Sequence, residues 1–277
     1  MTLAVRAGLF TAILMLASAC GSTSEPELEY VEQPVEMLYN EGFEHLERRD
    51  YNRAAAYFDE VERQHPFSEW ARRSMLMAAF ANYQANKYEE AISDAERFIA
   101  LHPGNASAPY AYYLIALSHY ERIFDVGRDQ STTRNALDSL QQVVRRYPDS
   151  PYAMDARVKI DMTRDHLAGK EMSVGRWYMR SGYYLAAINR YQNVLRDYPT
   201  TSHVPEALHR LVESYVALGV DTEARQVAAV LGYNYPGSDW YQNSYDLLTS
   251  RGIAIEGEGL EEQDPSLIRR AMDRIFG

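Results

Sequence analysis

The feature that most constrains this chain is a short phrase that returns five times, a histidine or tyrosine followed by proline. It occurs at His65-Pro66, His102-Pro103, Tyr147-Pro148, Tyr198-Pro199 and Tyr235-Pro236. Twelve residues before each proline stands an alanine: Ala54, Ala91, Ala136, Ala187 and Ala224. Four residues after these come Phe58, Ala95, Leu140, Tyr191 and Ala228, and three further on Val61, Phe98, Val143, Val194 and Leu231. Offsets of 0, 4 and 7 fall on one face of an α-helix, so each repeat presents one apolar stripe. The proline disfavours helical geometry in the residue before it and commits the chain to a turn.

Upstream of each alanine the pattern continues. Tyr51, Tyr88 and Tyr184 stand three residues ahead of Ala54, Ala91 and Ala187 and mark a tight turn between two antiparallel helices. Before that turn lies the first helix of each pair, with Gly42, Ala79 and Gly175 where a second backbone is expected to approach closely. This arrangement resembles the tetratricopeptide repeat. Counting each proline as position 32 of that repeat, its small residue at position 8 falls on Gly42, Ala79, Gly175 and Val212, and Ala116 is aligned with it in the third unit. The tryptophan typical of position 4 is missing, and Val212 departs from the small-residue rule. The expected fold is all-α, a right-handed superhelical solenoid of about five tetratricopeptide-like hairpins. A generic helical bundle is the alternative.

The prolines at 66 and 103, and those at 199 and 236, are 37 residues apart; the two intervals between are longer. A hydrophilic insertion near Asp125–Arg134 accounts for the first excess, and extra helical length from Pro151 to about Leu167 for the second. Residues 35–251 form the expected repeat body, closed by a capping helix with Ser238 as N-cap and Gly252 as stop. Residues 252–277 read as an acidic linker and an amphipathic helix, which either packs back on the cap or docks on a partner.

The start of the chain has its own logic. Arg6, an apolar run from Leu9 to Leu16 and the small residues Ala17-Ser18-Ala19 make residues 1–19 a signal peptide. Cys20, the one cysteine, follows directly, which fits a bacterial lipobox whose usual leucine is replaced by Ala17. Lipidation at Cys20 (acyl chains such as palmitate) is therefore expected, with ordinary signal cleavage near Ala19 as the alternative. A lone thiol in an oxidising compartment has few other uses. Gly21 and Ser22, with no Asp at 22, point to the outer membrane. Residues 20–34 are polar and acidic and read as a tether.

Little here suggests chemistry. A net charge of -11 argues against nucleic acid, which requires a cationic face. His203 and His209 lie six apart, and no carboxylate is read in metal-binding register with them, so no metal is expected. There is no phosphate loop and no nucleophile elbow. No cofactor is expected, and the protein is read as no enzyme. In tetratricopeptide solenoids, positions 5, 9 and 12 face a concave groove. The resemblance places Tyr39, Phe43, Leu46, Leu76, Phe80, Tyr83, Tyr113, Leu117 and Tyr120 there, suited to an extended segment with aromatic side chains. The alternative is that these rings fill the core. Arg190 and Arg196 lie off the packing stripe of their helix and are candidate partner-docking residues, or else part of a solvated face.

Taken with the lipobox and tether, Tyr39-Asn40-Glu41-Gly42, the run from Asp50 to Val61, Arg145-Arg146-Tyr147-Pro148-Asp149-Ser150 and Ala187-Ile188-Asn189-Arg190-Tyr191 resemble the BamD (ComL/YfiO) family of outer membrane assembly lipoproteins. The resemblance covers about residues 32–235. It implies a non-catalytic scaffold at the periplasmic face of the outer membrane, held there through its lipid. Its partners would be the periplasmic domains of the central barrel-assembly subunit, other assembly lipoproteins, and unfolded outer membrane proteins awaiting insertion. Arg190 falls in the family phrase and becomes the preferred docking residue. An adaptor lipoprotein of another envelope or cell-division complex is the alternative reading.

Overall fold

In this computed structural model residues 31–253 are described. The expected signal peptide, Cys20, most of the expected tether and the tail beyond residue 253 lie outside them. Eleven helices and no strand occur among the described residues: α1 (Val35–Glu47), α2 (Tyr51–Gln64), α3 (Glu69–Gln84), α4 (Tyr88–Leu101), α5 (Ala108–Tyr120), α6 (Ser131–Arg146), α7 (Pro151–Arg180), α8 (Tyr184–Asp197), α9 (Val204–Leu218), α10 (Asp221–Asn234) and α11 (Asp239–Ser250). The chain divides into two units after Phe98, within α4.

In the first unit α1 packs on α2 and α2 on α3. Ala54, Phe58 and Val61 are fully buried, with Tyr39, Leu46 and Met77 packed around the Phe58 cluster. Asn82 donates to Asp94 at 2.9 Å and joins α3 to α4, while Arg97 of α4 reaches Glu62 of α2 at 2.9 Å. Ahead of α1, the Gln33 N–H donates to the Gln64 side chain (2.9 Å), and Gln64 donates to the Val31 carbonyl (2.9 Å). The residues entering α1 are thus pinned to the end of α2.

In the second unit each helix from α5 to α11 packs on the next in the chain. The apolar stripe read from the sequence is buried in all five repeats, every member being at most 1% exposed. Burial of this kind is worth roughly 1.5–3 kcal/mol for each large side chain, which explains why so short a phrase can set a fold.

Three features differ from the sequence reading. The small residue of the first helix makes room for a side chain on its partner helix. A Cβ on Gly42 would lie 2.9 Å from the Phe58 ring, and one on Gly175 would lie 2.5 Å from that of Tyr191. The two sites pair by size: glycine faces Phe58 and Tyr191, Ala116 accompanies Leu140, and Val212 accompanies Ala228. The insertion in the third repeat is shorter at its end than expected, because Ser131 to Arg134 already form the first turn of α6. Buried Gln130 organises it, donating to the Arg128 carbonyl at 3.0 Å and accepting from Thr133 at 3.0 Å. Finally, the extra length ahead of the fourth hairpin is continuous with it, giving one 30-residue helix, α7.

The hairpin turns share one hydrogen-bond pattern. Asp50, Lys87, Tyr183 and Val220 donate their backbone N–H to the carbonyls of His45, Asn82, Tyr178 and Tyr215 at 2.9–3.0 Å. Each spans five residues around one left-handed residue: Arg49 (φ 61), Asn86 (φ 61), Gly182 (φ 79) and Gly219 (φ 73). This is the Schellman closure, which satisfies carbonyls at the end of the first helix.

Candidate protein-binding site

The nine groove candidates sit on the first helices of their hairpins, and none is fully buried. Phe43 is the most open, 43% exposed. Tyr39 lies 5.5 Å from the Phe58 ring and 4.7 Å from Trp70, and Leu46 joins the same cluster, so both carry packing as well as surface. Leu76, Phe80 and Tyr83 on α3 are half-buried, with Tyr83 5.9 Å from Tyr88. In the second unit Tyr113 stacks on Tyr152 at 5.2 Å and donates its hydroxyl to Asp155 at 2.5 Å. Burial, the largest single influence, pushes the Asp155 carboxyl up, but the Tyr113 bond together with the hydrogen bond and charge of Lys159 holds it below its ordinary range. Leu117 is half-buried, and Tyr120 lies under the Lys159 ammonium at 5.4 Å. Phe43 therefore offers free apolar surface, whereas Tyr39, Tyr113 and Tyr120 offer ring edges already held in place by neighbours.

The two arginines differ from each other. Arg190 on α8 reaches back to Glu171 on α7 at 3.3 Å, and Asn193 donates to the same carboxylate oxygen at 3.1 Å. Its side chain stays 39% exposed, so one edge of the guanidinium is oriented and the other faces solvent. Arg196 is clamped by both oxygens of Asp197 at 2.8 Å and by Asn193 at 2.8 Å. A new carboxylate meets far less competition at Arg190 than at Arg196.

One constellation escaped the sequence reading. His209 on α9 is 5% exposed, and its Nδ1 lies 2.8 Å from the Ser244 hydroxyl of α11. Its Nε2 lies 3.6 Å from Glu213, so a carboxylate does stand one turn away, contrary to the expectation for this histidine. Serine, histidine and glutamate in that order look like nucleophile, base and orienter. Ser244 is fully buried, however, and Trp240 lies 5.4 Å from the imidazole, so no substrate can reach the hydroxyl. The trio fastens α11 to α9. Burial holds His209 below the ordinary imidazole range, opposed by Glu213 and aided by Arg210. Around it Arg176, Glu206, Arg210 and Glu213 form a chain of ion pairs of 2.6–3.3 Å. No group of three metal-ligating side chains occurs among the described residues.

Among the described residues the repeat stripes are buried, and Phe43 with the held ring edges is left as open aromatic surface on the first helices. Residues 31–231 match the family model described as YfiO, outer membrane lipoprotein. The chain belongs to that family. Proteins called outer membrane protein assembly factor BamD are similar over most of their length. The one from Caulobacter vibrioides is 52% identical, covering 94% of this chain and 85% of its own. That from Rickettsia prowazekii is 44% identical, covering 87% and 96%, and that from Neisseria meningitidis serogroup A is 34% identical, covering 86% and 94%. Among solved structures, a tetratricopeptide domain complex of yeast Sti1 is similar at 12% identity with a TM-score of 0.44, covering 87% of this chain and 96% of that one. Within the YfiO family frame, no described helix is long and apolar enough to cross a membrane.

Proposed function

We propose that this protein is an outer membrane protein assembly factor that works as a non-catalytic scaffold, anchored by lipid at Cys20 to the periplasmic face of the outer membrane. The observation that carries the reading is the match to the YfiO family over residues 31–231, together with relatives up to 52% identical that bear the assembly-factor name. Positioning by mass action is what such a molecule contributes: it raises the local concentration of one partner beside another, and makes no bond. Arg190, oriented by Glu171 but still half open, is the docking residue for a carboxylate on the periplasmic domains of the central barrel-assembly subunit. Phe43, with Tyr83 and their neighbours, receives the aromatic segments of unfolded barrel precursors.

The test is an affinity pull-down of the full lipoprotein from detergent-solubilised outer membranes. The expected result is co-purification of the barrel-assembly subunit and other assembly lipoproteins in near-equal amounts. Recovery of cell-division proteins in their place would assign the chain to a different envelope complex.

A further inference from the structure

The first half of the long helix α7, ahead of Glu171, carries a surface in which Arg190 takes no part. Against α6 it forms an open cleft of about 530 Å³, with aliphatic Val144 and Ile160 between Arg145, Arg157 and Arg164, and with Asp161 beside them. In a chain of net charge -11, three guanidiniums lining one cleft reverse the local sign. Among the described residues few of their donors are engaged. Arg145 donates to Gln141 at 3.2 Å and Arg157 to the Pro148 carbonyl at 3.0 Å, whereas each guanidinium has five N–H groups. Arg164 has no hydrogen bond or ion pair among the described residues.

Beside the cleft runs an uncovered apolar stripe. Met154, Val158 and Met162 recur every four residues on one face of α7 and are 72%, 57% and 56% exposed. Arg157 and Asp161 occupy the helical positions between stripe and cleft. Two unlike observations, guanidiniums with donors to spare and apolar side chains more than half exposed, thus meet on one helix.

We propose that this α6–α7 surface docks an acidic peptide segment of a partner protein, one in which carboxylates alternate with aliphatic side chains. The carboxylates pair with the guanidinium forks, whose planar geometry accepts two oxygens at once. The aliphatic groups cover Val158 and the two methionines, whose flexible thioethers adapt to irregular partners. Asp161 selects against phosphate: a dianion in the cleft meets a like charge, while a peptide can present a backbone N–H there. The surface is separate from Arg190 and stands independently of that assignment.

Fluorescence anisotropy with the full mature protein tests it. The probe is a fluorescein-labelled peptide of about twelve residues alternating Glu and Leu; a Gln-Leu peptide and phosphatidylglycerol vesicles are the comparisons. The expected result is binding of the Glu-Leu peptide that weakens with salt. It is further expected to fall about tenfold or more in R157E/R164E and to drop in V158S, with helix content unchanged by circular dichroism. Because all three substituted side chains leave the core untouched, a loss of binding is not a loss of fold. Equal affinity in R157E/R164E, or equal binding of the Gln-Leu peptide, overturns the proposal. Vesicle binding that vanishes in R157E/R164E, with no peptide binding, assigns the surface to anionic lipid and overturns it as well.

Discussion

Gly175 on α7 and Tyr191 on α8 form one packing unit: a Cβ on the glycine would stand 2.5 Å from the tyrosine ring, which is itself fully buried. Desolvation lifts the Tyr191 hydroxyl to about 12, and the ring rather than the hydroxyl is what the site accommodates. The missing methyl on α7 is therefore a requirement of the residue chosen on α8.

Gly175→Ala is predicted to destabilise the fold by about 1–3 kcal/mol through overpacking, measured by chemical denaturation. Combining it with Tyr191→Leu reproduces the Ala116 and Leu140 pairing of the third repeat. The double variant is expected to be more stable than the sum of the single losses. Strict additivity would show that the two positions do not share one space.

The turn residues make an opposite prediction. Arg49 is held left-handed at φ 61, which costs a non-glycine residue about 1–2 kcal/mol. Arg49→Gly is expected to raise stability by up to about 1 kcal/mol, after the added entropy of glycine in the unfolded chain. Gly182→Ala, at φ 79, is expected to lower it by about 1 kcal/mol or more. Thermal midpoints of the two variants moving in the same direction would contradict this account of the turns.

His209 gives a pH dependence with a fixed sign. Its folded pKa is lowered by burial among Ser244, Trp240, Arg210 and Glu213, so the unfolded chain takes up the proton first. The stability it contributes is present above its unfolded pKa of about 6.5 and is lost as pH falls below that value. Denaturation midpoints of the wild type and His209→Gln, compared from pH 8 to 5, should converge as the solution becomes acidic. A constant gap would contradict the assignment.

Arg190→Glu is expected to reduce recovery of the barrel-assembly subunit about tenfold in co-purification, since a like charge would replace the proposed charge-assisted bond. Arg196→Glu, whose parent side chain is already held by Asp197, should change it far less. Equal losses would point to a general charge effect.

What the sequence shows and hides follows from distance along the chain. The proline phrase and its 0, 4, 7 stripe act within one helix, so all five stripes could be read directly, and all are buried. The reason for Gly42 and Gly175 was not readable, because the ring each admits stands sixteen residues away on another helix. Arg49 is left-handed through the hydrogen bonds that close its turn, with nothing in its residue type to announce it, whereas Asn86 is of a type that tolerates that conformation. Ser244 and His209 meet across 35 residues, which no local pattern encodes. For the candidate site, Tyr39 and Phe43 stand four residues apart on one helix face, and the half-buried state of Tyr39 beside the open Phe43 comes from its neighbours Trp70 and Phe58.

The most direct test of the scaffold reading is depletion of this protein in its own bacterium, followed by pulse-chase of a newly made outer membrane β-barrel. The measured quantity is the rate at which the barrel acquires its folded, detergent-resistant mobility. The account predicts that this rate collapses on depletion, with unfolded precursor accumulating, and returns with the wild-type chain but poorly with Cys20→Ala. Undiminished barrel folding in depleted cells would contradict it.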